Sequence, residues 1–561
     1  MPPDHPSPRR RLTARGAVQF LLLLVAAGFL ALHARHLNAD FPNYSPWMDW
    51  SKYTDEGWYG DGAIRQFLLG HWYVPGDFNP AVALPVWPFL EFLLFRVTGV
   101  SLAAARALTV AIFALTLISA YLLVRRWTNL ANKPGAPRLD SETWVPSSTP
   151  SLAPAISVLF LSVSPFCYAF TRLAILEPLL ILLTLLALLT TSYLTPRTWY
   201  LSVLLGLLIP LMVLTKTTAV FLLPAIAWLL WVRAGYRLRP FIRISLLPAV
   251  IAVATWLTYY LVFVRPHYLL DYHYLFNANA YTGITLGTAL SVFSETVSDG
   301  FWIGNLIYPL SLLATLIAVL RPHIARRNSL VPALLFWAAG YTAFLAYHDN
   351  LQPRYYLVIA VPLTLLIPIV FETIWQARAQ NPPRQAHPLA ATVLIVALII
   401  TAAADARETL RFVATPEYTY TTAATEIRQL IDDYQRTDPN HNPLVLSVSG
   451  SNLSLMTGLR SICDDFGTMQ LNTRIATYRP GWFITWNQIN DEKMDALSPN
   501  YHLQRVAEFP VMDDPERNLL ILYRLDPATS TTPTPPRHRR PIPKLLETKL
   551  GQQPSIIQLQ H

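Results

Sequence analysis

Charged residues are scarce in this sequence. Asp, Glu, Lys and Arg together make up 14% of its 561 residues, and hydrophobic residues make up 53%. A soluble protein usually carries about 25% charged residues, so too few polar groups are present to cover a water-soluble surface. The composition therefore excludes a string of ordinary soluble domains and indicates that much of the chain lies in a membrane.

Cysteines are nearly absent, and nucleotide-binding glycine motifs are missing. The two cysteines, Cys167 and Cys463, lie far apart and lack the spacing of metal ligands, so neither a disulfide framework nor a zinc site is expected. The sequence contains no Walker-type loop and no dinucleotide fingerprint. The lack of nucleotide-binding motifs disfavours a nucleotide-driven pump and an enzyme that uses nucleotide sugars.

Long apolar runs rich in Leu, Ala, Ile and Val recur between residues 17 and 404. We expect an all-α polytopic membrane domain of about eleven transmembrane helices, because a helix needs about 20 apolar residues to cross a bilayer core. The spans are predicted near residues 17–35, 103–124, 152–169, 178–194, 199–215, 218–232, 243–264, 301–320, 330–347, 355–375 and 388–404.

Basic residues are concentrated in every second short loop between these runs. Lys and Arg number 43 against 34 acidic residues, but their placement indicates orientation in a bilayer and not a nucleic-acid partner. The basic segment Met1–Arg15 precedes an apolar run without a clear cleavage site, which predicts an uncleaved signal-anchor. We therefore expect the N-terminus and loop 125–150 in the cytoplasm and residues 405–561 outside.

This topology places the first long loop, residues 36–102, on the outer face. Asp55 and Glu56 lie side by side in it. Burying adjacent carboxylates beside a membrane span costs free energy unless they face water or a partner. These two are therefore either acids of a solvated loop or part of a functional site. Two helices, Asp61–Gly70 and Leu84–Phe95, are expected in the same loop and at the membrane surface.

Three further outer turns carry cations. Arg172 and Glu177 share one turn, where they either form an ion pair that holds it or line the rim of an outward cavity. Lys216 either extends to the lipid headgroups or binds a phosphate. Arg354 precedes Tyr355 at the outer start of a span, where the positive-inside bias argues against an idle arginine. Its planar guanidinium suits phosphate oxygens.

The C-terminal part changes in composition. Residues 405–526 predict a small extracytoplasmic α/β domain, and the Thr/Pro/Arg-rich residues 527–561 predict a disordered tail. Thr415 followed by Pro416 is typical of a helix start. Strands are predicted at Leu444–Val448, Trp482–Trp486, Leu503–Phe509 and Leu519–Tyr523.

One segment of this domain is a candidate for holding an acceptor. It comprises the run Cys463–Asp465 and the aromatic residues Trp482, Phe483 and Trp486. Packing in a hydrophobic core is the alternative interpretation of the aromatic residues.

Taken in chain order, these features resemble the C-type (GT-C) glycosyltransferases, in the branch of the aminoarabinose transferases and protein O-mannosyltransferases. The resemblance covers roughly residues 15–375. It rests on Asp55-Glu56, His71-Trp72 to Asn79-Pro80, Gly99 to Arg106, Thr171-Arg172 to Glu177-Pro178, Leu214-Thr215-Lys216 and Arg354-Tyr355. Two positions depart from the family pattern: Ala81–Leu84 replaces a usual basic residue, and Glu177 stands where Asp is frequent.

The resemblance implies an integral-membrane glycosyltransferase in residues 1–404, in a bacterial inner membrane. Such an enzyme moves a sugar from a polyprenyl-phosphate donor to a lipid, glycan or protein acceptor of the cell envelope. Asp55 then matches the catalytic base, and Glu56 is a neighbour that orients or tunes it. The substrate-binding residues expected are His71, Arg172, Glu177, Lys216, Arg354 and Tyr355.

Two other classes remain open from the sequence. A secondary transporter or a flippase of a lipid-linked substrate would also have many spans and buried charges, but it should show repeated halves, and no internal repeat is visible. A membrane protein without catalysis is the other. No cofactor is firmly predicted; a divalent metal held by Asp55, Asp61 and His71 is left as an alternative, because the set has no recognised ligand spacing.

Overall fold

The structure, a computed structural model, describes residues 14–131, 151–278, 285, 287–348, 351–380, 388–488 and 491–528, apart from residues 43, 196, 513, 515 and 516. Most of the predicted cytoplasmic loop 125–150, and the predicted tail beyond residue 528, lie outside these residues.

Helices dominate the first 414 residues. The α-helices are α1 (Ala14–His33), α2 (Asp55–Leu69), α3 (Val86–Thr98), α4 (Leu102–Ala131), α5 (Ala153–Val163), α6 (Pro165–Phe170), α7 (Leu176–Tyr193), α8 (Trp199–Thr215), α9 (Leu223–Arg233), α10 (Leu238–Tyr259), α11 (Arg265–His267), α12 (Leu269–Ala278), α13 (Ala289–Asp299), α14 (Ile307–Leu320), α15 (Pro322–Arg327), α16 (Leu330–His348), α17 (Pro353–Gln380) and α18 (Pro388–Ala414). Short 3-10 helices cover Trp50–Lys52, Pro80–Val82, Thr217–Leu222 and Gly300–Ile303, and a π-helical turn covers Tyr260–Val264.

Among the described residues, six helices are long and apolar enough to cross a membrane, and four apolar stretches of 10–17 residues are shorter. Each predicted span coincides with helix, and the chain is an integral membrane protein; the number of crossings stays a prediction. The span predicted at 152–169 is two helices, because Ser164 has extended backbone and its side chain caps α6. The connection between the spans predicted at 243–264 and 301–320 contains α11, α12 and α13.

Two helices form the centre of the membrane part. The apolar windows of α17 and α7 are 89% and 83% buried, whereas those of α1 and α10 are 11% and 17% buried. The central helices begin at Pro353 and Leu176, so their first turns carry Arg354 and Glu177. Packing at the centre therefore holds both of these candidate residues in fixed positions.

The connection between α1 and α4, residues 34–101, is called the first loop here. It contains both predicted helices, but α2 begins at Asp55, six residues earlier than predicted. α2 ends at Leu69 and is followed by Gly70, whose φ of 84° is the left-handed conformation that favours glycine. The N-terminal half of α2 is almost fully buried between α3 and the C-terminal domain, so Asp55 is not in a solvated loop.

The C-terminal part is an α/β domain, as predicted. Its elements are α19 (Thr419–Thr437), β1 (Val445–Leu446), α20 (Gly450–Thr457), β2 (Ser461–Ile462), α21 (Leu471–Tyr478), β3 (Trp482–Trp486), α22 (Asp491–Leu497), β4 (Tyr501–Pro510) and β5 (Leu519–Pro527). The sheet order is β2-β1-β3-β5-β4. β1 pairs in parallel with β2 and β3, whereas β5 pairs antiparallel with β3 and β4.

Two expectations for this domain need correction. The predicted helix start at Thr415 is wrong, because α18 continues to Ala414 and Thr415 bonds back to the Arg411 carbonyl at 2.9 Å. α19 begins only at Thr419. β2, only two residues long, was too short to predict from its sequence. The aromatic residues of β3, Trp482, Phe483 and Trp486, are buried in hydrophobic clusters of the domain, so they pack in its core.

Candidate active site

Asp55 is the first residue of α2, and the residue is 2% exposed. Its Oδ1 accepts a hydrogen bond from the Thr54 hydroxyl at 3.0 Å. Its Oδ2 lies 2.9 Å from Nη2 of Arg354 but accepts no aligned hydrogen bond among the described residues. Burial raises the pKa of the Asp55 carboxyl, and the Arg354 charge offsets part of that rise.

Arg354 joins two carboxylates in this buried cluster. Its Nη1 lies 2.6 Å from Oδ1 of Asp49, and its backbone N–H donates to the other Asp49 oxygen at 2.8 Å. Asp49 also accepts from the Ser51 backbone N–H at 2.8 Å. Sequence reasoning missed Asp49, since nothing in the surrounding residues marks this acid as different from others in the first loop.

Lys216 and Glu177 form an ion pair beside this cluster. Both cations lie over the Tyr355 ring, whose centroid is 4.0 Å from Lys216 Nζ and 4.6 Å from the Arg354 guanidinium carbon. Glu177 is fully buried, and its Oε2 has no hydrogen-bond partner among the described residues. The structure therefore brings together Asp55, Glu177, Lys216, Arg354 and Tyr355. Lys216 is 7% exposed, so its predicted extension to the headgroups is wrong.

Glu56 faces a different partner. Its two carboxylate oxygens accept from Arg106 at 2.8 and 2.6 Å, and Oε1 also accepts from the Ala174 backbone N–H at 2.9 Å. Arg106 also donates to the carbonyls of Leu37 and Ala39. Glu56 thus joins α2 to α4 and to the turn before α7. Its predicted role as a neighbour that tunes Asp55 stays a prediction.

Arg172 does not pair with Glu177, so the ion-pair interpretation of that turn is wrong. Its Nη2 donates to the carbonyls of Arg35 and His36 at 2.7 and 2.5 Å, and its guanidinium lies over the Tyr168 ring. Arg172 therefore joins this turn to the start of the first loop, and its predicted contact with a substrate stays a prediction.

His71 lies away from the cluster, exposed just beyond the C-terminus of α2. At about 1.5 Å of rise per residue, the helix separates it from Asp55 by roughly 20 Å. Asp61 pairs with Arg65 at 2.9 Å and accepts from Ser451. These three side chains do not converge, and the described part of the chain has no group of three or more His, Cys, Asp or Glu residues that could hold a metal ion.

Comparison with known proteins rests on structure alone. No family model matches the chain, and no curated protein matches it by sequence. The crystal structure of ArnT from Cupriavidus metallidurans bound to undecaprenyl phosphate is 13% identical, with a TM-score of 0.55 over 91% of this chain and 98% of its own. The apo structure of that protein is 12% identical, with a TM-score of 0.54 over 90% of this chain and 98% of its own. The apo structure of the oligosaccharyltransferase of Archaeoglobus fulgidus is 12% identical. Its TM-score is 0.48, over 92% of this chain and 75% of its own.

The similarity to ArnT extends over 91% and 90% of this chain in the two structures and over 98% of ArnT. The fold predicted from the order of the motifs is thereby confirmed. The chain has the fold of the GT-C glycosyltransferases, with a small α/β domain at its C-terminal end.

Proposed function

We propose that this protein transfers a sugar from a polyprenyl-phosphate donor to a lipid, glycan or protein acceptor at the extracytoplasmic face of a bacterial inner membrane. The observation that carries the proposal is the buried contact between Asp55 and Arg354, at the junction of the first loop with the central helices. The fold supports the choice of donor, since the similar ArnT structure holds undecaprenyl phosphate.

Asp55 is the proposed general base. An acceptor hydroxyl or amine must lose a proton as its oxygen or nitrogen bonds to the anomeric carbon of the sugar. Oδ2 of Asp55 is suited to accept this proton, because Oδ1 is already occupied by Thr54 and Oδ2 has no aligned donor. Burial supports the same role, since it raises the pKa of the carboxyl towards the working pH.

Arg354 and Lys216 are the proposed ligands of the donor phosphate. The bond from the anomeric carbon to the phosphate oxygen breaks, and its electron pair leaves with the polyprenyl phosphate. Two cations that both contact the Tyr355 ring can stabilise that charge, so no strong general acid is needed. A phosphate would compete with Asp49 and Asp55 for the Arg354 guanidinium.

A single displacement, with inversion at the anomeric carbon, needs only one carboxylate base. A double displacement would need a second carboxylate as nucleophile. The two other carboxylates in the cluster, Asp49 and Glu177, are each paired with a cation, Arg354 and Lys216 respectively. We therefore propose one carboxylate base and an inverted product.

The test is sugar transfer by the purified protein in detergent. Polyprenyl-phosphate donors with radiolabelled hexoses or pentoses are incubated with an envelope extract as the source of acceptors. We expect transfer from one donor class and an inverted linkage by NMR. A protein that transfers no sugar but moves labelled donor across vesicle bilayers would overturn the proposal in favour of a flippase.

A further inference from the structure

The helix that carries Asp55 lacks a cap from its own sequence. Thr54 is at the N-cap position of α2, where a threonine hydroxyl usually accepts from the third backbone N–H of the helix. Here that hydroxyl makes no cap hydrogen bond and instead donates to Asp55 Oδ1 at 3.0 Å. Thr54 is therefore used to hold the carboxylate, and the N–H of Gly57, the third residue of α2, is left for another acceptor.

Asn452 of the C-terminal domain is that acceptor. Its side-chain oxygen accepts from the Gly57 backbone N–H at 2.5 Å, across 395 residues of sequence. Asn452 is 2% exposed, so water does not compete for this bond. The bond satisfies the donor that an N-cap side chain would normally satisfy.

Gly57 allows this close approach. A Cβ at position 57 would lie 2.2 Å from the backbone nitrogen of Asn452 and 2.2 Å from the carbonyl carbon of Ser451. Backbone atoms at that distance cannot move aside as the end of a flexible side chain can. The first turn of α2 and the first turn of α20 are therefore in direct backbone contact.

The contact belongs to a larger surface at the carboxyl ends of the parallel strands. Trp58 Nε1 donates to the carbonyl of Val448, just after β1, at 3.1 Å. Asp77 of the first loop accepts from the backbone N–H of Cys463, just after β2, at 3.2 Å, and pairs with the fully buried Arg474 at 3.0 Å. In open α/β sheets this edge is where ligands usually bind. In this protein the first loop covers it.

We infer that Asn452 is a positioning residue for the transfer reaction. From the C-terminal domain of the same chain it caps helix α2, and so it holds the Asp55 side chain in the orientation that the reaction needs. The inference rests on the proposed role of Asp55 as the base. Asn452 acts through the Gly57 N–H and does not touch the substrate.

The test compares Asn452→Ala, Asn452→Asp and Asn442→Ala in the full-length protein in detergent. Asn442 is the control, because its side-chain oxygen also accepts from a backbone N–H, that of Leu444 at 3.0 Å. Both partners of that bond belong to the C-terminal domain, so its loss does not affect α2. Amide hydrogen exchange is measured for the segment 54–60. The kcat and the donor KM are measured for sugar transfer. Exchange needs no substrate, so it reports on the cap even if the proposed reaction is wrong.

We expect Asn452→Ala to speed exchange in 54–60 and to lower kcat by about twofold to thirtyfold, with donor KM unchanged. This range is the stability cost of a lost cap expressed as a factor in an equilibrium constant. Asn452→Asp keeps an oxygen acceptor in the same place and should restore both values. Asn442→Ala should leave both unchanged. If Asn452→Ala does not fold, Asn452→Ser should give the same changes, because the serine side chain is too short for its oxygen to reach the Gly57 N–H.

Unchanged exchange and kcat in the folded Asn452→Ala or Asn452→Ser protein would overturn the inference. Equal losses in Asn442→Ala would also overturn it, since they would reflect only domain stability. So would a failure of Asn452→Asp to restore kcat. A wild-type protein without transfer activity contradicts the proposed function instead, and the exchange data then decide the cap by themselves.

Discussion

At the scale of single residues, neighbours in sequence have different surroundings. Asp55 contacts Arg354, whereas Glu56, the next residue, pairs with Arg106 on α4. Successive side chains of a helix point about 100° apart. Two adjacent carboxylates can therefore have separate roles, one in a reaction and the other in a contact between helices. This separation makes the two acids distinguishable by mutation.

Replacing Asp55 by Asn should lower turnover at least about a hundredfold, because base catalysis contributes roughly 10²- to 10⁴-fold. The change keeps the size of the side chain and removes the basic oxygen, so donor binding and folding should be retained. Turnover is measured by sugar transfer, and donor binding with undecaprenyl phosphate.

Glu56→Gln is the matched control for Asp55→Asn. It should reduce thermal stability, because one partner of the buried pair with Arg106 is lost. Near-normal turnover in Asp55→Asn beside an inactive but folded Glu56→Gln would assign the base to Glu56. Full turnover in both variants would contradict the mechanism.

Replacing Arg354 by Ala should weaken the binding of undecaprenyl phosphate by about 1.5–3 kcal/mol, the value of a charge-assisted hydrogen bond. The loss is measured by titrating the purified protein with this lipid. Arg411→Ala is the control, since that arginine side chain is 59% exposed and contacts only surface partners, Glu408 and the Tyr44 ring, among the described residues. Unchanged affinity in Arg354→Ala would remove the residue from the donor site.

At the scale of elements, α2 is held on two sides. On one side it packs against α20, and on the other Gly60 faces the carboxylate of Glu91 on α3, 2.1 Å from where a Cβ would be. Glu91 is fully buried. The two glycines thus meet different kinds of neighbour: backbone at Gly57 and the end of a side chain at Gly60.

Gly57→Ala should therefore destabilise the protein more than Gly60→Ala. Overpacking against backbone costs typically about 1–3 kcal/mol, whereas a side-chain end such as that of Glu91 can rotate away. Thermal unfolding of the two purified variants in the same detergent is the measurement. A larger loss of stability in Gly60→Ala would show that α3 is the more rigid neighbour.

At the scale of the whole molecule, the arrangement depends on which way the chain crosses the membrane. The first loop, the cation cluster and the C-terminal domain lie in contact with one another. They must therefore share one face of the membrane, whichever face it is. The alternation of basic loops predicts that this is the outer face.

We expect a cysteine placed at position 140 to be unreactive towards an impermeant reagent in intact cells. A reporter fused after residue 420 should be active only in its extracytoplasmic form. The reason is the excess of Lys and Arg in every second loop, which sets orientation. Labelling at position 140, or a cytoplasmic reporter signal after residue 420, would reverse the topology.

The sequence by itself determined the membrane class, the helical positions of the spans, the α/β character of the C-terminal part and the fold. These follow from apolar run length, charge in short loops and residue order, which are local properties that need no knowledge of contacts. Element boundaries were less certain where two helices follow closely, as at Ser164 and at Thr415, because local propensity there is overridden by continuation of a neighbouring helix.

Only the tertiary structure decided which residues meet. Lys216 pairs with Glu177, Arg354 joins Asp49 to Asp55, and Asn452 caps α2, across 39, 305 and 395 residues of sequence respectively. A charge far along the chain has many opposite charges that it could meet, and its own neighbours do not select among them. The selection is made by packing: the buried helices α7 and α17 and the backbone contact at Gly57 fix which buried polar groups lie within hydrogen-bond distance of one another.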